Sequence, residues 1–284
     1  MVNRQLNQIE RSVLKLRAGT ATERPDVVAA EEPLEVRLQW QSGGQLNLKS
    51  IAVTMRTPGD DFELAMGFLY GEGILDRRED IADVAYCLDL DIDEEQRRNI
   101  VTVTLAPGVD FDLSRLERNF YTTSSCGVCG KATLEALEVQ GCDVLGPGTE
   151  VDFATICALP ARLRRAQEVF ETTGGLHAAG LFAADGALVA LNEDVGRHNA
   201  MDKLVGGRFF AGELPLADNV LLLSGRCSFE LVQKALRARI PVVASVGAPS
   251  SLAVDVAESF GMTLCGFVRP DGFNVYTGAQ RIRS

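Results

Sequence analysis

The chain has 284 residues, of which 46% are hydrophobic and 24% charged, a balance typical of globular proteins. Its net charge of −11 argues against general nucleic-acid binding, because a phosphate backbone requires a basic face. The seven cysteines are an odd number, which argues against a disulfide framework and favours a reducing compartment. Neither a signal core nor an apolar run approaching roughly 20 residues is present, so we expect a cytoplasmic protein without membrane partners.

The acidic excess lies in the first half of the chain. Residues 151–284 carry 13 basic and 13 acidic side chains, and the remaining 15 basic and 26 acidic side chains lie in residues 1–150. We therefore expect an anionic ligand to bind the second half. The alternative is that the net charge of −11 only keeps the protein soluble.

Taken in order, residues 1–30 are polar and weakly patterned and are predicted to form a mobile or loosely docked tail. Apolar and polar residues alternate from Leu34 to Trp40 and predict a half-buried strand. A second strand is predicted from Leu46 to Met55, with a phase slip that indicates a bulge. Apolar residues at helical spacing from Phe62 to Tyr70 predict an amphipathic helix.

The segment from Asp76 to Arg98 is charged and mostly acidic. It lacks the glycine and ligand spacing of a calcium loop, so we predict a solvated connection. A further strand is predicted from Val101 to Leu105, and a helical or irregular arm from Phe111 to Phe120.

The arm leads into a glycine-rich loop, residues 122–131, that contains Cys126 and Cys129. A thiolate is the nucleophilic form of cysteine, and a nearby positive charge or helix N-terminus lowers its pKa. Lys131 supplies the charge, and the pattern of residues 132–137 predicts a helix that begins just after the loop. We therefore expect thiol chemistry at Cys126 and Cys129.

A pair of cysteines at this spacing has three alternative roles. A structural zinc site normally takes four ligands from two such pairs, and the chain has no second pair. A thioredoxin-type redox pair is the stronger alternative, since a dithiol at this spacing can form a disulfide. That motif, however, normally follows an early strand of a small domain. An inert buried pair would not need the glycines.

The second half predicts alternating strands and helices. A helix is predicted from Ala158 to Thr172, and a glycine-rich turn then enters a strand at His177. Continuous apolar strands at residues 220–223, 241–246 and 263–268 are separated by predicted helices, and a last short strand is predicted at residues 274–276. Such strands are covered on both faces, which predicts a three-layer α/β domain. We expect three parts: a tail at 1–30, an α+β region at 31–150 and the α/β domain at 151–284.

Sheets of this kind bind ligands beyond the carboxyl ends of their strands. Small-residue turns at 224–228 and 247–251 lie at strand-to-helix junctions, where free N–H groups can hold phosphate. Neither turn matches a P-loop or a dinucleotide fingerprint, so they are equally compatible with tight packing turns.

The chain has two histidines, and both lie in polar, glycine-rich segments. They are candidates for the wall of a site, where neighbouring side chains offer anion contacts or proton transfer; a structural role is the alternative. The candidate wall residues are His177, Asp194, Arg197, His198, Ser224 and Arg226. Four single cysteines are predicted to be small buried hydrophobes: Cys142, Cys157, Cys227 and Cys265.

Five ordered motifs resemble those of the FdhD family of formate dehydrogenase accessory sulfurtransferases. They are SSCGVCGK at 124–131, GGLHAA at 174–179, EDVGRHN at 193–199, LSGR at 223–226 and SVGAPSS at 245–251. The resemblance extends from about Leu34 to Tyr276.

The resemblance implies a sulfur carrier that accepts persulfide sulfur from a cysteine desulfurase. It would deliver the sulfur to the molybdenum or tungsten bis-guanine-dinucleotide cofactor of formate dehydrogenase, which is inactive without a sulfido ligand. It also implies a homodimer and a fold similar to that of cytidine deaminases. The zinc signature of those enzymes is missing from this sequence, so we do not expect deamination.

By the same resemblance, Cys126 matches the persulfide-carrying position and Cys129 its partner, which either relays the sulfur or releases it by forming a disulfide. The family's cofactor contact would fall at Phe267, Val268, Arg269, Pro270, Asp271 and Gly272. Arg269 suits a phosphate, and Asp271 can accept hydrogen bonds from guanine. Two alternatives stay open: a dithiol oxidoreductase and a non-catalytic carrier of the cofactor.

Overall fold

A computed structural model describes residues 7–109 and 142–284. The first element is a hairpin of β1 (Gln8–Arg17) and β2 (Thr20–Ala29), paired along its whole length. The described part of the predicted mobile or loosely docked tail, residues 1–30, thus has regular structure, and its mobility and docking stay a prediction. Most side chains of both strands are exposed, so no buried face imposes the apolar alternation by which a strand is recognised.

A four-stranded sheet follows, with strand order β4-β3-β6-β5. Its strands are β3 (Glu32–Ser42), β4 (Gln45–Arg56), β5 (Ile81–Tyr86) and β6 (Ile100–Leu105). The predicted bulge is confirmed, because Val36 pairs with Ala52 and Arg37 with Ser50, which leaves Ile51 between them. The predicted solvated connection from Asp76 to Arg98 contains one strand that was not predicted, β5, and no side chain of this edge strand is completely buried.

Helix α1 (Asp61–Gly71) confirms the predicted amphipathic helix, and the short α2 (Glu94–Arg97) lies in the acidic connection. After β7 (Val151–Asp152), the single helix expected at 158–172 is two helices, α3 (Phe153–Ala166) and α4 (Glu168–Thr173). The break has a physical cause: the Glu193 carboxylate accepts hydrogen bonds from the amides of Val169 and Phe170, at 3.0 and 2.9 Å. This carboxylate starts a new helix.

The largest sheet has six strands in the order β13-β12-β11-β10-β8-β9. The strands are β8 (His177–Ala183), β9 (Leu188–Asp194), β10 (Asn219–Leu223), β11 (Val242–Ser245), β12 (Thr263–Arg269) and β13 (Gly272–Thr277). Strands β10, β11 and β12 are parallel, and the other pairings are antiparallel. At the C-terminus, β14 (Ile282–Arg283) pairs with β7.

Helices cover both faces of this sheet. Helix α3 packs on one face with Val220, Leu222 and Val242. The other face packs against α5 (Arg197–Phe210), α6 (Phe229–Arg237) and α7 (Ser251–Ser259). The predicted three-layer α/β architecture is confirmed, whereas its similarity to cytidine deaminases stays a prediction.

The larger hydrophobic cluster contains buried residues from both predicted regions, including Leu34 of β3 and Leu221 of β10. The division into domains stays a prediction, and the core itself is continuous across residue 150. In the part of the chain that the structure describes, no helix is both long and apolar enough to cross a bilayer.

Helices α1 and α5 cross closely at Gly206 of α5. A Cβ on Gly206 would lie 1.8 Å from the Glu63 carbonyl oxygen, whereas a Cβ on Gly207 would lie 3.8 Å from Glu63 Cγ. We expect Gly206→Ala to lower the free energy of unfolding by about 1–3 kcal/mol, because the helices must separate. Gly207→Ala is the control and should be neutral or slightly stabilising; urea unfolding at neutral pH compares them. Equal stability of the two variants would contradict the packing argument.

Candidate functional site

The candidate site is the sheet edge formed by the carboxyl ends of β10, β11 and β12. The loops that follow these strands are joined by backbone hydrogen bonds: Gly247 N to Gly225 O at 2.9 Å, Cys227 N to Ala248 O at 3.1 Å, and Phe267 N to Gly247 O at 3.0 Å. A Cβ on Gly247 would lie 2.9 Å from the Gly225 oxygen. Glycine is therefore needed at position 247 for the loops to meet.

His177 lies at this edge because β8 runs antiparallel to β10, with Ala179 opposite Leu223. A Cβ on Gly225 would lie 3.2 Å from Nδ1 of His177, so the ring packs directly over the glycine. Burial, and then the positive charges of Arg197 and Arg226, lower the pKa of His177 below its ordinary value. The structure thus brings His177, Arg197 and Arg226 together as a basic cluster.

Arg197 begins α5 at the same edge. Its Nε is buried and has no hydrogen-bond partner among the described residues. A buried donor without a partner is costly, so an acceptor supplied by a ligand would be favourable here. Phosphate oxygens are such acceptors.

His198 is the next residue of α5, and its Nε2 lies 3.1 Å from the Ser228 hydroxyl and 3.8 Å from the Glu230 carboxylate. The hydrogen bond with His198 is the largest cause that lowers the pKa of Glu230, to about 2. Ser228 occupies the N-cap position of α6, but its side chain makes no capping bond. The side chains of Ser228 and Glu230 therefore hold the imidazole, and the first amides of α6 have no side-chain cap.

Asp194, predicted as a residue of the site wall, makes its polar contacts inside the protein. The residue is completely buried, and its carboxylate accepts hydrogen bonds from Thr57 N, Lys203 Nζ, Gly196 N and Asn199 Nδ2, at 2.8–3.0 Å. Its acceptor positions are thus occupied within the protein. The role of this carboxylate is structural, because it joins β9, α5 and the loop after β4.

Ser224 is also committed to the fold. Its hydroxyl accepts a hydrogen bond from the Ala178 amide at 2.8 Å, and its own amide donates to the Ala178 carbonyl at 3.0 Å. These bonds continue the pairing of β8 with β10. Ser224 therefore positions the loop that carries Arg226.

The predicted cofactor-contact segment, 267–272, forms the end of β12, a tight turn and the start of β13. Phe267 is 43% exposed in a left-handed conformation with φ of 55°, which is unusual for a bulky residue. The Val268 side chain is buried in the core, so only its backbone can face a ligand. The Arg269 guanidinium donates to the carbonyls of Val246 and Val268, at 2.9 and 2.8 Å. Asp271 is exposed in the turn.

The predicted carriers Cys126 and Cys129 lie outside the described residues. The four single cysteines are buried as predicted. Burial raises the pKa of Cys142 to about 11 and those of Cys227 and Cys265 to about 12, and it also raises the pKa of Cys157. Since the thiolate is the reactive form, these four thiols are poor nucleophiles.

No role was predicted from the sequence for Ser228, Glu230 or Lys203. A serine followed by an apolar helix predicts an N-cap, but its contact with His198 spans 30 residues of sequence. Lys203 follows Asp202 between the apolar residues Met201 and Leu204 of the helix, and this position was the available signal for a buried ion pair.

An anion at the basic cluster should change the titration of His177. We expect inorganic pyrophosphate to raise the pKa of His177, because added negative charge stabilises the imidazolium against Arg197 and Arg226. Nuclear magnetic resonance of the two imidazole rings measures this directly, and His198→Asn assigns the signals. Arg226→Gln should raise the pKa without ligand and diminish the response. An unchanged titration midpoint at saturating pyrophosphate would contradict anion binding at this cluster.

Comparison with known proteins gives a consistent result over almost the whole chain. The sequence profile of the FdhD/NarQ family matches residues 29–283. A sulfur carrier protein FdhD from Streptomyces avermitilis is 52% identical over 274 residues, covering 96% of this chain and 94% of the relative. The proteins of the same name from Mycobacterium tuberculosis and Sulfurisphaera tokodaii are 50% and 42% identical, covering 96% and 97% of this chain and 97% and 99% of the relatives.

A solved structure shows the same fold. It is the crystal structure of a candidate formate dehydrogenase accessory protein from Desulfotalea psychrophila, with a TM-score of 0.71 and 26% sequence identity. The similarity covers 97% of this chain and 99% of that one.

Proposed function

Because the chain belongs to the FdhD/NarQ family, we propose that it is a sulfurtransferase that receives sulfur from a cysteine desulfurase. It delivers the sulfur to the molybdenum or tungsten bis-guanine-dinucleotide cofactor of formate dehydrogenase. The name sulfur carrier protein supports the receipt of sulfur. The name formate dehydrogenase accessory protein supports formate dehydrogenase as the client enzyme. The homodimer implied by the family resemblance belongs to the same proposal.

The structural observation that carries the proposal is the basic cluster of His177, Arg197 and Arg226. The cofactor is the substrate of this reaction and contains two diphosphate groups. Arg197 and Arg226 would bind phosphate oxygens, since guanidinium groups match them in charge and geometry. The buried Nε of Arg197, which lacks a partner among the described residues, fits this substrate.

The base of the cofactor would bind at the predicted segment 267–272. The turn after β12 lies at the same sheet edge as the basic cluster, because β10, β11 and β12 are parallel. The exposed Asp271 carboxylate can accept hydrogen bonds from guanine. Arg269, which already donates to two carbonyls, holds the turn and has remaining donors for a phosphate.

The sulfur is carried on Cys126, with Cys129 as its partner. The Cys126 thiolate attacks the outer sulfur of the donor's persulfide, and the sulfur–sulfur bond of the donor breaks. The donor cysteine leaves as a thiolate, and the transferred sulfur keeps its proton as Cys126–S–SH. No net oxidation or reduction occurs, so this step needs no other reactant. The raised pKa values of the four buried cysteines make those thiols poor alternatives.

Mass spectrometry of the intact protein tests this function. After incubation with a cysteine desulfurase and free cysteine, we expect the protein to gain the mass of one sulfur atom, and a thiol reductant should remove it. A reversible Cys126–Cys129 disulfide with no added sulfur would instead support a dithiol oxidoreductase. Absence of both, together with tight cofactor binding, would support a non-catalytic carrier. Either result would overturn the proposal.

A further inference from the structure

The outer edge of β9 is an unpaired strand edge. Within residues 7–109 and 142–284, β9 pairs only with β8, and no backbone hydrogen bond joins residues 188–193 to any other element. An edge strand presents N–H and C=O groups on its free side, and these groups can pair with a further strand. The free edge of β9 is therefore a place where another chain can add to the sheet.

A cavity of about 1050 Å³ lies along this free edge. Three consecutive residues of β9 line it, Leu191, Asn192 and Glu193, although successive side chains of a strand point to opposite faces of the sheet. The lining also includes the end of α3, which packs on one face, and Lys203 of α5, which packs on the other. The cavity thus lies at the side of the strand, where a peptide backbone would pair.

The regular part of the free edge covers residues 190–193. A register shift between Leu188 and Ala190 leaves Val189 as a bulge, and bulges terminate pairing at sheet edges. At the other end of the strand, Asp194 is completely buried. An added strand would therefore pair with residues 190–193, which include the three that line the cavity.

Carboxamide side chains line the cavity: Asn7, Gln8, Gln167 and Asn192. Asn7 is 9% exposed, and its Oδ1 is buried without a partner among the described residues. A buried polar atom without a partner is unfavourable. A carboxamide carries a carbonyl acceptor and an N–H donor side by side, as a peptide bond does. Asn7 can therefore pair with a peptide group in either orientation of its side-chain amide.

An arginine at the end of α3 supplies positive charge beside the cavity. Arg165 lines the cavity and is exposed, and it has no ion pair in the part of the chain that the structure describes. Its neighbour Arg164 is already engaged by Glu171 at 3.3 Å. A carboxylate on an added strand would pair with Arg165. Three carboxylates of the lining are bonded within the protein: Asp60, Glu171 and Glu193.

We propose that the free edge of β9 binds an extended acidic segment of a partner protein as an added strand, with a carboxylate of that segment toward Arg165. In recognition of this kind, main-chain hydrogen bonds give affinity and side-chain contacts give specificity. The backbone of residues 190–193 supplies the first, and the carboxamides and Arg165 supply the second.

The client enzyme is the partner that this edge fits. Strand β9 ends at Asp194, which lies opposite His177 of the basic cluster. A segment paired with β9 therefore leads to the sheet edge proposed to bind the cofactor, and it would hold there the protein that contains the cofactor. Formate dehydrogenase as this partner rests on the proposed function; the strand addition does not.

Hydrogen exchange of the full chain, followed by mass spectrometry, tests the strand addition without relying on activity. When formate dehydrogenase that lacks the sulfido ligand is added, we expect the outward amides among residues 190–193 to exchange more slowly by roughly tenfold, because they become hydrogen-bonded. Strand β4 is the reference, since it lies at the edge of the four-stranded sheet, and its exchange should not change.

Three outcomes would overturn the proposal. The first is unchanged exchange at β9, and the second is equal slowing at β9 and β4. The third is slowing that follows the concentration of this chain without formate dehydrogenase, which would assign the free edge to a second copy.

Two variants test the side chains, each with a matched control. Arg165→Gln removes the charge, and Asn7→Leu removes the carboxamide but keeps the backbone bond from Ala30 N to Asn7 O. We expect each to weaken the binding of formate dehydrogenase by roughly tenfold, measured by titration of the exchange protection. Arg24→Gln and Asn47→Leu make the same changes outside the cavity lining and should leave the affinity unchanged. A variant that binds as tightly as its control would overturn the role of that side chain.

The two proposals fail separately. Protection at β9 without sulfur loading would overturn the proposed function and retain the strand addition. Sulfur loading without protection at β9 would retain the function and overturn the strand addition.

Discussion

A protein with alanine in place of Cys126 is expected to leave formate dehydrogenase inactive, at the level of cells that lack the protein altogether. The thiol is the only proposed attachment point for the transferred sulfur, and a covalent carrier without its nucleophile has no slower route to the same intermediate. The measurement is formate oxidation by the client enzyme, produced in cells that contain only the variant. The variant should also gain no sulfur when incubated with desulfurase and cysteine.

Two controls separate chemistry from folding. Cys87→Ala removes a half-buried thiol outside the loop and should leave client activity unchanged. Cys129→Ala tests whether the partner cysteine acts after loading, since relay of the sulfur and its release by disulfide formation both need this thiol, whereas loading of Cys126 does not. Active client enzyme in the Cys126→Ala cells would contradict the proposed mechanism outright.

Removal of Lys203 should have the largest effect on stability. Its ammonium group lies 2.8 Å from the Asp194 carboxylate and donates to the Thr57 carbonyl at 2.7 Å, and both charged side chains are almost completely buried. Lys203→Met leaves an uncompensated carboxylate in the interior, so we expect the free energy of unfolding to fall by about 3–5 kcal/mol. Urea unfolding followed by circular dichroism measures the change.

Lys49→Met is the matched control, because Lys49 is exposed on β4; its effect should stay within about 0.5 kcal/mol. Adding Asp194→Asn to Lys203→Met should recover part of the loss, since the amide oxygen still accepts hydrogen bonds without carrying charge. If Lys203→Met costs no more than Lys49→Met, the buried pair does not stabilise the fold as argued.

Elements with a strong apolar pattern could be predicted from the sequence. Strand β10 is a continuous apolar run, and apolar and polar residues alternate in β3 from Leu34 to Trp40. These patterns are visible in the sequence because each buried position requires an apolar residue. The hairpin of β1 and β2 and the edge strand β5 bury few side chains, and their backbone pairing leaves no comparable pattern. The split between α3 and α4 depends on Glu193, which lies 24 residues beyond its hydrogen-bond partner Val169.

The candidate site was predictable in composition but not in geometry. The sequence places His177, Arg197 and Arg226 in glycine-rich segments, and the structure brings these groups together. Nothing local in the sequence distinguishes Asp194, which is buried and saturated with hydrogen bonds, from a carboxylate that faces a ligand. That distinction depends on Thr57 and Lys203, whose contacts are made only in the folded chain.

The loops at the sheet edge are held by main-chain atoms, which almost every residue type supplies. Replacement of Arg226 therefore need not disturb the frame, and the electrostatic potential of the edge can change while its shape is retained. The glycines at 225 and 247 are different, since added atoms there would push the loops apart. Tolerance to substitution should thus differ from one residue to the next within 224–228. Substitutions at the tolerant positions would change the affinity of this edge for anions in small steps.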